Sequence, residues 1–471
     1  MGYEVIVVGG GIGGLGCAAL LAKEGMKVLV LERSSFLGGR ATSFKHNGYL
    51  LDVGMHVMSL GDVSPTEEML RRVGIKVHYS WTEGLDFYTP EGWKDITQYR
   101  RASKEDDSNL KAIIQEILSM PKEAMDALDD TPMKGWLDDR TDRKAIQDLF
   151  RMIAWWYGIT DTKDLAASEI LYEIKRSLEK RHTLATGNQV VGGFKALIQP
   201  LKRALLKRGG EIRTASEVSE VVIERGGVKG ILVNRKVRIP EEIKDKIIPE
   251  VEFIPCPIVV CALPMTHLFN VVPQEKLPDG FVKKVNQILN QQFGIYYGFA
   301  IGLRGKVSSS KRYYGTDPLL YHRIPEGMCL HAQYLSNFDA AYAPEGHQLF
   351  VTGYFGELGK MSGFEVKRSL DDLREILKDI FPEVMTNADW VLPWIFPRWM
   401  TVLANPGLVG KNRIDSKAPG IEGLFFAGEG YRGRLMGINP ACDSAMICAE
   451  RILAEQKKKE MGFETTEKWW R

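Results

Sequence analysis

Hydrophobic positions along this chain fall into runs whose spacing marks strands and helices from the first residues onward. Residues 3–8 are a β-rich apolar run, and residues 27–31 are a second one. Between them stand Gly9-Gly10-Gly11-Ile12-Gly13-Gly14 and then residues 15–24, whose apolar spacing predicts a helix closed by Gly25. The chain therefore opens as strand, tight turn, helix and strand, with Glu32 at the second strand's tip. Farther along, residues 110–118, 144–157 and 167–178 combine apolar spacing with charged faces, which predicts helices punctuated by Pro121 and Pro132. Residues 292–303 and 348–355 read as strands, and 366–381 as an amphipathic helix. Near the end, Leu424-Phe425-Phe426 is strand-like, and Asn439 followed by Pro440 predicts an N-cap and a first turn of a helix running towards Glu455.

Composition narrows the class. The 471 residues are 44% hydrophobic and 26% charged, and 62 Lys+Arg against 60 Asp+Glu leave a net charge of +2. This is a globular chain of about two or three domains, large enough to enclose a sizeable ligand. It has no general field for a polyanion, so nucleic acid is not an expected partner. Six cysteines, with none in a C-x-x-C pair, point to a reducing compartment and to no zinc or dithiol site. The start lacks the pattern of a secretory signal, and Ile6 does not suit myristoylation of Gly2. No run approaches the roughly 18 apolar residues of a membrane span. A cytoplasmic location without a metal is the expectation.

The glycine-rich turn has a chemistry of its own. Gly9 suits the sharp turn, Gly11 lets the backbone approach a pyrophosphate, and Gly14 lets the helix pack close to the strand. A diphosphate would then rest on the free N–H groups of the helix start at Ile12 and Gly13. Glu32 is placed to accept both ribose hydroxyls of an adenine dinucleotide, and it would repel a 2′-phosphate. This unit alone leaves NAD and FAD open. Arg33 then leads into Gly38-Gly39-Arg40, where an NAD domain would normally begin another helix. Small residues and a guanidinium there suit a second approach to the diphosphate or flavin. Asp52-Val53-Gly54-Met55-His56 follows.

This series resembles the flavin-containing amine oxidase and phytoene desaturase superfamily, whose N-terminal pattern is G-x-G-x-x-G, E-R, G-G-R and D-x-G-x-H. The likeness is nearest to the carotenoid desaturase, isomerase and retinol saturase-like branch. Further marks occur in order: Val191-Gly192-Gly193-Phe194 before a helix to Lys207, strands at 211–213 and 217–224, the run 258–264, and Leu424 to Glu429. The resemblance implies an α/β protein with a Rossmann-like (GR2-type) FAD-binding domain and an inserted α+β substrate domain. It implies that residues 1–75, 185–270 and 410–456 form the FAD-binding domain, 76–184 and 271–409 the substrate domain, and 457–471 a tail. In relatives, the position of Val218 meets the adenine through its backbone, and Gly428 and Glu429 lie near the ribityl chain and diphosphate. The loop of Gly54, Met55 and His56 approaches the ring. The start of the last helix faces the pyrimidine side of the isoalloxazine, which makes Gly437, Ile438 and Ala441 the nearest residues. Its positive end would favour the charge of reduced flavin. Ser444-Ala445 stands where many relatives have Ser-Gly.

The reacting group is argued separately. Many amine oxidases carry a lysine on a substrate-domain strand; the matching stretch, 293–300, has none. Cys442 lies in the wrong motif for covalent flavin attachment. Aromatics crowd the insertions, among them Trp155, Trp156, Tyr157, Phe293, Tyr296, Tyr297 and Trp399, and they suit either an apolar tunnel or plain core packing. The expected activity is oxidoreduction of carbon–carbon bonds (desaturation, saturation or isomerisation) in a hydrophobic unsaturated substrate, by hydride transfer at flavin N5. His56 is the candidate for proton handling, with loop packing as its bland alternative. Arg398 either anchors a carboxylate or is a surface charge. With only one dinucleotide fingerprint, electrons pass to an external acceptor such as oxygen or a quinone. Lys457-Lys458-Lys459 and Trp469-Trp470-Arg471 would suit peripheral membrane contact, against a solvated tail. Two alternatives stay open: an amine oxidase giving an imine and hydrogen peroxide, and a non-catalytic scaffold like the GDP-dissociation-inhibitor proteins.

Overall fold

The computed structural model describes residues 2–54, 59–96, 103–158, 160–181, 188–234, 251–291, 294–317, 329–357, 362–396 and 402–461. The opening unit forms as Val5–Val8, Ile12–Lys23 and Val28–Leu31. The helix begins inside the glycine run rather than at Leu15, because Gly11 serves as its N-cap and Leu15 N–H donates to the Gly11 carbonyl at 2.9 Å. Gly9, at φ +111°, makes the turn that lets the helix start so early.

Five parallel strands build the first sheet, in the order Leu424–Phe426, Ile258–Cys261, Val5–Val8, Val28–Leu31 and Glu211–Arg213. Apart from the edge strand Glu211–Arg213, their runs are apolar on both faces because both faces are covered. The helices Ile12–Lys23, Lys195–Lys207 and Asn439–Glu460 bury one face. An antiparallel sheet of Glu217–Glu224, Gly227–Asn234 and Val251–Pro255 packs into the core on the other. Chain segments hundreds of residues apart thus meet in one sheet whose strand ends share an edge.

The second sheet has seven strands, ordered Ala388–Phe396, Gly294–Arg304, His347–Glu357, His331–Tyr334, Arg312–Thr316, Gly84–Thr89 and Gly92–Asp95. The last two come from the segment 76–184, whose sequence reads as mostly helical. Gly84–Thr89 is a strand because Leu85 and Phe87 alternate inward while Asp86 and Tyr88 point the other way. Tyr79–Trp81 also pairs with Asn188–Val190. The helix Gly363–Ile380, begun by a Ser362–Glu365 capping box, covers one face of this sheet. The opposite face meets Tyr49–Asp52 at one end and Trp155 and Trp156 at the other.

Helices Lys104–Ser119, Met133–Asp138, Lys144–Ile153 and Ala167–Arg181 share a third core, into which Met436 inserts from the loop before the last helix. That loop is held by ions. Arg434 reaches Asp126 at 2.5 Å, Asp129 at 2.9 Å and Glu169 at 3.1 Å, with its guanidinium 4.7 Å from the Tyr172 ring centre. Leu435 N–H donates to Glu169 as well. The last helix itself begins at Asn439 with Ile438 as N-cap, so the predicted capping role of Asn439 is wrong by one position. Its buried amide instead accepts from Thr66 Oγ1 at 2.9 Å and donates to Ser59 Oγ at 3.2 Å, tying the helix to the loop after Gly54.

Asp129 and Glu169 are fully buried, so removing Arg434 takes the paired cation from both and leaves Glu169 with the nearby Arg413 charge. Arg434→Met is expected to cost about 3–5 kcal/mol in denaturant unfolding. A loss below about 1 kcal/mol would show that the network contributes nothing to stability.

Candidate functional site

A cleft of 640 Å³ opens at the carboxyl ends of the parallel strands. This is the place where open α/β sheets take their ligands. Gly9, Gly11, Ile12, Gly13 and Gly14 line its floor, with Gly38, Gly39 and Arg40 facing them. The two glycine loops are joined: Gly38 N–H donates to the Gly10 carbonyl at 2.8 Å, and Gly11 bridges Gly38.

Each glycine is required for a separate reason. A Cβ on Gly14 would lie 2.1 Å from the Gly9 carbonyl oxygen, so the helix could not pack where it does. A Cβ on Gly9 would meet the Ala262 carbonyl at 2.7 Å. A Cβ on Gly11 would meet nothing within 4 Å, because Gly11 faces the open cleft. Positive helix-end amides and backbone that a ligand can approach closely are the elements of a diphosphate cradle.

At one end of the cleft stands Glu32. Its two oxygens accept from Gly10 N–H and Ser34 N–H, both at 2.8 Å. Each oxygen keeps a lone pair for a ribose hydroxyl. Arg33, Val218 and its neighbours Ser216, Glu217 and Ser219 complete this end with Asn234, His267 and Asn270. The Asn270 amide donates to His267 Nδ1 at 3.3 Å, and burial with the nearby Arg33 charge lowers the imidazole below its usual value.

At the other end, Gly428, Glu429, Met436, Gly437, Ile438 and Ala441 surround the start of the last helix, with Gly54 and Tyr157. Arg40 and Glu429 form an ion pair across the cleft. The buried Arg413 fixes the same turn by donating from Nη1 to the Glu429 carbonyl at 2.8 Å. Ser444 Oγ accepts from Gly428 N–H at 3.2 Å, and Ala445 is fully buried, so alanine packs closely at the place where many relatives have glycine.

The structure therefore brings every described candidate into one cleft. Met55 and His56 lie outside the described residues, as do Arg398 and the tail from 462. Sequence reading named Tyr157 only among the aromatics of the insertions and missed His267, Asn270 and Asn234, which carry no motif. It also passed over the role of Asp52, which accepts from Ser43 Oγ at 2.5 Å, Phe194 N–H at 3.1 Å and Tyr342 OH at 2.7 Å. This acid ties the loop before Gly54 to two distant segments. Glu173 is different: it is buried, and burial pushes its carboxyl up to about 8 even though Ser59 lies near enough to oppose the shift.

The family described as flavin containing amine oxidoreductase matches residues 12–453. Among curated proteins, a 15-cis-phytoene desaturase of Capsicum annuum is 22% identical over 49% of this chain and 44% of its own length. An all-trans-retinol 13,14-reductase of Danio rerio is 51% identical over 61 residues, 13% of this chain and 10% of its own. The chain thus aligns with less than half the length of either of these relatives. A solved oxidoreductase structure from Methanosarcina mazei superimposes with a TM-score of 0.72 at 19% identity, covering 95% of this chain and 99% of that one.

Two expectations follow from the geometry. Gly11→Ala should leave the melting midpoint of the ligand-free protein unchanged while weakening dinucleotide binding about tenfold or more, whereas Gly14→Ala should destabilise the fold itself. Equal loss of stability in both would contradict the assignment of their roles. For Glu173, the folded value is raised, so the stability from its bound proton is full at low pH and is lost as pH rises through about 8. Glu173→Gln should melt close to the parent protein near pH 5 and several degrees above it near pH 9. Identical midpoints at both would show that the carboxyl is not held protonated.

Proposed function

The chain belongs to the flavin containing amine oxidoreductase family and is an FAD-dependent oxidoreductase, and from that premise we propose that it acts on carbon–carbon bonds of a hydrophobic unsaturated substrate. The residues of the cleft fit the cofactor. Glu32 would hold the adenosine ribose, and the backbone of Val218 the adenine. Gly11, Ile12 and Gly39 would take the diphosphate, with the Arg40–Glu429 pair beside it. Gly437, Ile438 and Ala441 would meet the isoalloxazine. When bound, FAD supplies a hydride acceptor or donor at N5. The start of the Asn439–Glu460 helix would favour the negative charge of the reduced ring. His56, following Gly54 in the chain, is the proposed proton-handling residue.

One observation supports carbon–carbon chemistry over amine oxidation: the central part of the sheet face that packs on the Trp155–Trp156 turn is built of apolar, aromatic and neutral polar side chains, and the described charges on that face, Lys94 and Arg304, stand towards the sheet's ends. Its strands present Tyr296, Gly298 and Ala300, then Val351, Gly353 and Phe355, then His331 and Gln333, then Tyr313, and finally Leu85 and Phe87. The Arg312–Asp86 pair of the same strands lies on the opposite face. The carboxylate beside this face, Asp52, already accepts from Ser43, Phe194 and Tyr342, whereas a conjugated hydrocarbon chain finds aromatic walls. The external acceptor, oxygen or a quinone, and contact with a membrane surface complete the proposal. No helix of the described residues is long and apolar enough to cross a membrane.

Anaerobic titration of the FAD-loaded protein tests this reading. Polyenes should change the flavin's redox state or emerge with shifted double bonds, and a broad amine panel should leave the spectrum unchanged. Stoichiometric bleaching by an amine would overturn it.

A further inference from the structure

Gly298 and Gly353 face each other across neighbouring antiparallel strands. A Cβ on Gly298 would come within 2.6 Å of the Tyr296 ring, and one on Gly353 within 2.3 Å, so the glycine pair is the floor over which that ring lies. His331 pairs with Gly353 on the next strand. Its ring centre is 4.9 Å from that of Trp156 and 5.9 Å from that of Phe355, which is 5.1 Å from Tyr296. Four aromatic rings thus make a box on the sheet. Trp156 belongs to the π-helical turn Ala154–Gly158, and the next residue, Tyr157, lines the cleft with Met436 and Gly437. One turn carries a wall of the box and a wall of the cleft, and such turns are frequent at functional sites.

Within this box His331 Nε2 is sealed from solvent and has no hydrogen-bond partner among the described residues. Burial alone lowers the imidazole to about 4, so the ring is neutral at physiological pH, and no charge acts on it. Two residues on, the buried Gln333 accepts from Gln189 Nε2 at 2.9 Å, and the same amide nitrogen donates to Tyr313 OH at 3.3 Å. That polar pair is satisfied internally, whereas His331 is not. A buried ring nitrogen left unpaired is costly and calls for a partner that enters from outside the protein.

Resting on the carbon–carbon reading above, we infer that the Trp156–His331–Phe355–Tyr296 box receives one neutral polar end of the substrate, a hydroxyl or carbonyl, on His331 Nε2. The imidazole's two tautomers serve either group, accepting from a hydroxyl or donating to a carbonyl. A carboxylate or ammonium would be desolvated without a described counter-charge. A pure hydrocarbon would leave Nε2 unpaired. His331 is therefore a specificity residue that distinguishes polar-ended polyenes from hydrocarbon ones.

The test compares all-trans-retinol with the hydrocarbon that has the same polyene and no hydroxyl, each titrated anaerobically into the FAD-loaded protein while flavin absorbance and tryptophan fluorescence are followed. The parent protein should bind retinol about tenfold or more tightly than the hydrocarbon. His331→Phe, which keeps a ring in the box, should lose that preference by weakening retinol alone. His331→Gln, which keeps a hydrogen-bonding group, should recover part of it. Bound FAD and the unfolding midpoint show whether each variant is folded. Equal affinities in the parent protein, or an equal loss for both ligands in His331→Phe, would overturn the role of His331 and leave the carbon–carbon reading standing. No response to either polyene together with bleaching by benzylamine would overturn both.

Discussion

The architecture depends on how closely two glycine loops approach at the head of one strand. Gly14 packs its helix directly over the Gly9 carbonyl, and Gly38 is hydrogen-bonded to Gly10. A Cβ on Gly11 would meet nothing within 4 Å, so backbone N–H groups at the helix start are available to an anion. The rest of the fold can be understood as what is needed to hold that helix end open and to furnish the two ends of a long cofactor around it.

Those ends are built from segments far apart in the chain, and buried polar contacts carry the connection. Glu32 is fixed by two amides of the same opening unit. The loop bearing Gly437 is held instead by Arg434 and the acids of the helical insertion, and the loop before Gly54 by Asp52 and its three partners. The cofactor cleft and the aromatic sheet face are therefore positioned by the same contacts. Catalytic chemistry of this kind belongs largely to the cofactor, and the protein's part is placement, charge and exclusion of competing groups.

What could be read from sequence follows from the range of the interactions. Gly9, Gly11, Gly14 and Glu32 were legible because their roles are local: a turn, a close approach and a strand tip within one short unit. Gly428, Gly437 and Ala441 were reached through resemblance, since nothing local marks them. His267 and Asn270 were not legible, and Tyr157 only as one aromatic among many, because their place in the cleft depends on tertiary packing alone. The strand Gly84–Thr89 was missed because its alternation is short and lies beside strongly helical segments, and it becomes a strand by pairing with Arg312–Thr316 far along the chain. Asn439 has the composition of a cap, but Thr66 and Ser59 claim its amide.

The central claim is that one FAD runs the length of this cleft, with its ring end between Gly437–Ala441 and the aromatic sheet face. A crystal structure of the FAD-loaded protein tests it most directly. The account requires the ribose on Glu32, the diphosphate over Gly11 and the isoalloxazine against Ile438, with Tyr157 and the Tyr296 face on its open side. An isoalloxazine placed away from Gly437–Ala441, or a charged group from the remaining segments set against its reactive face, would contradict it.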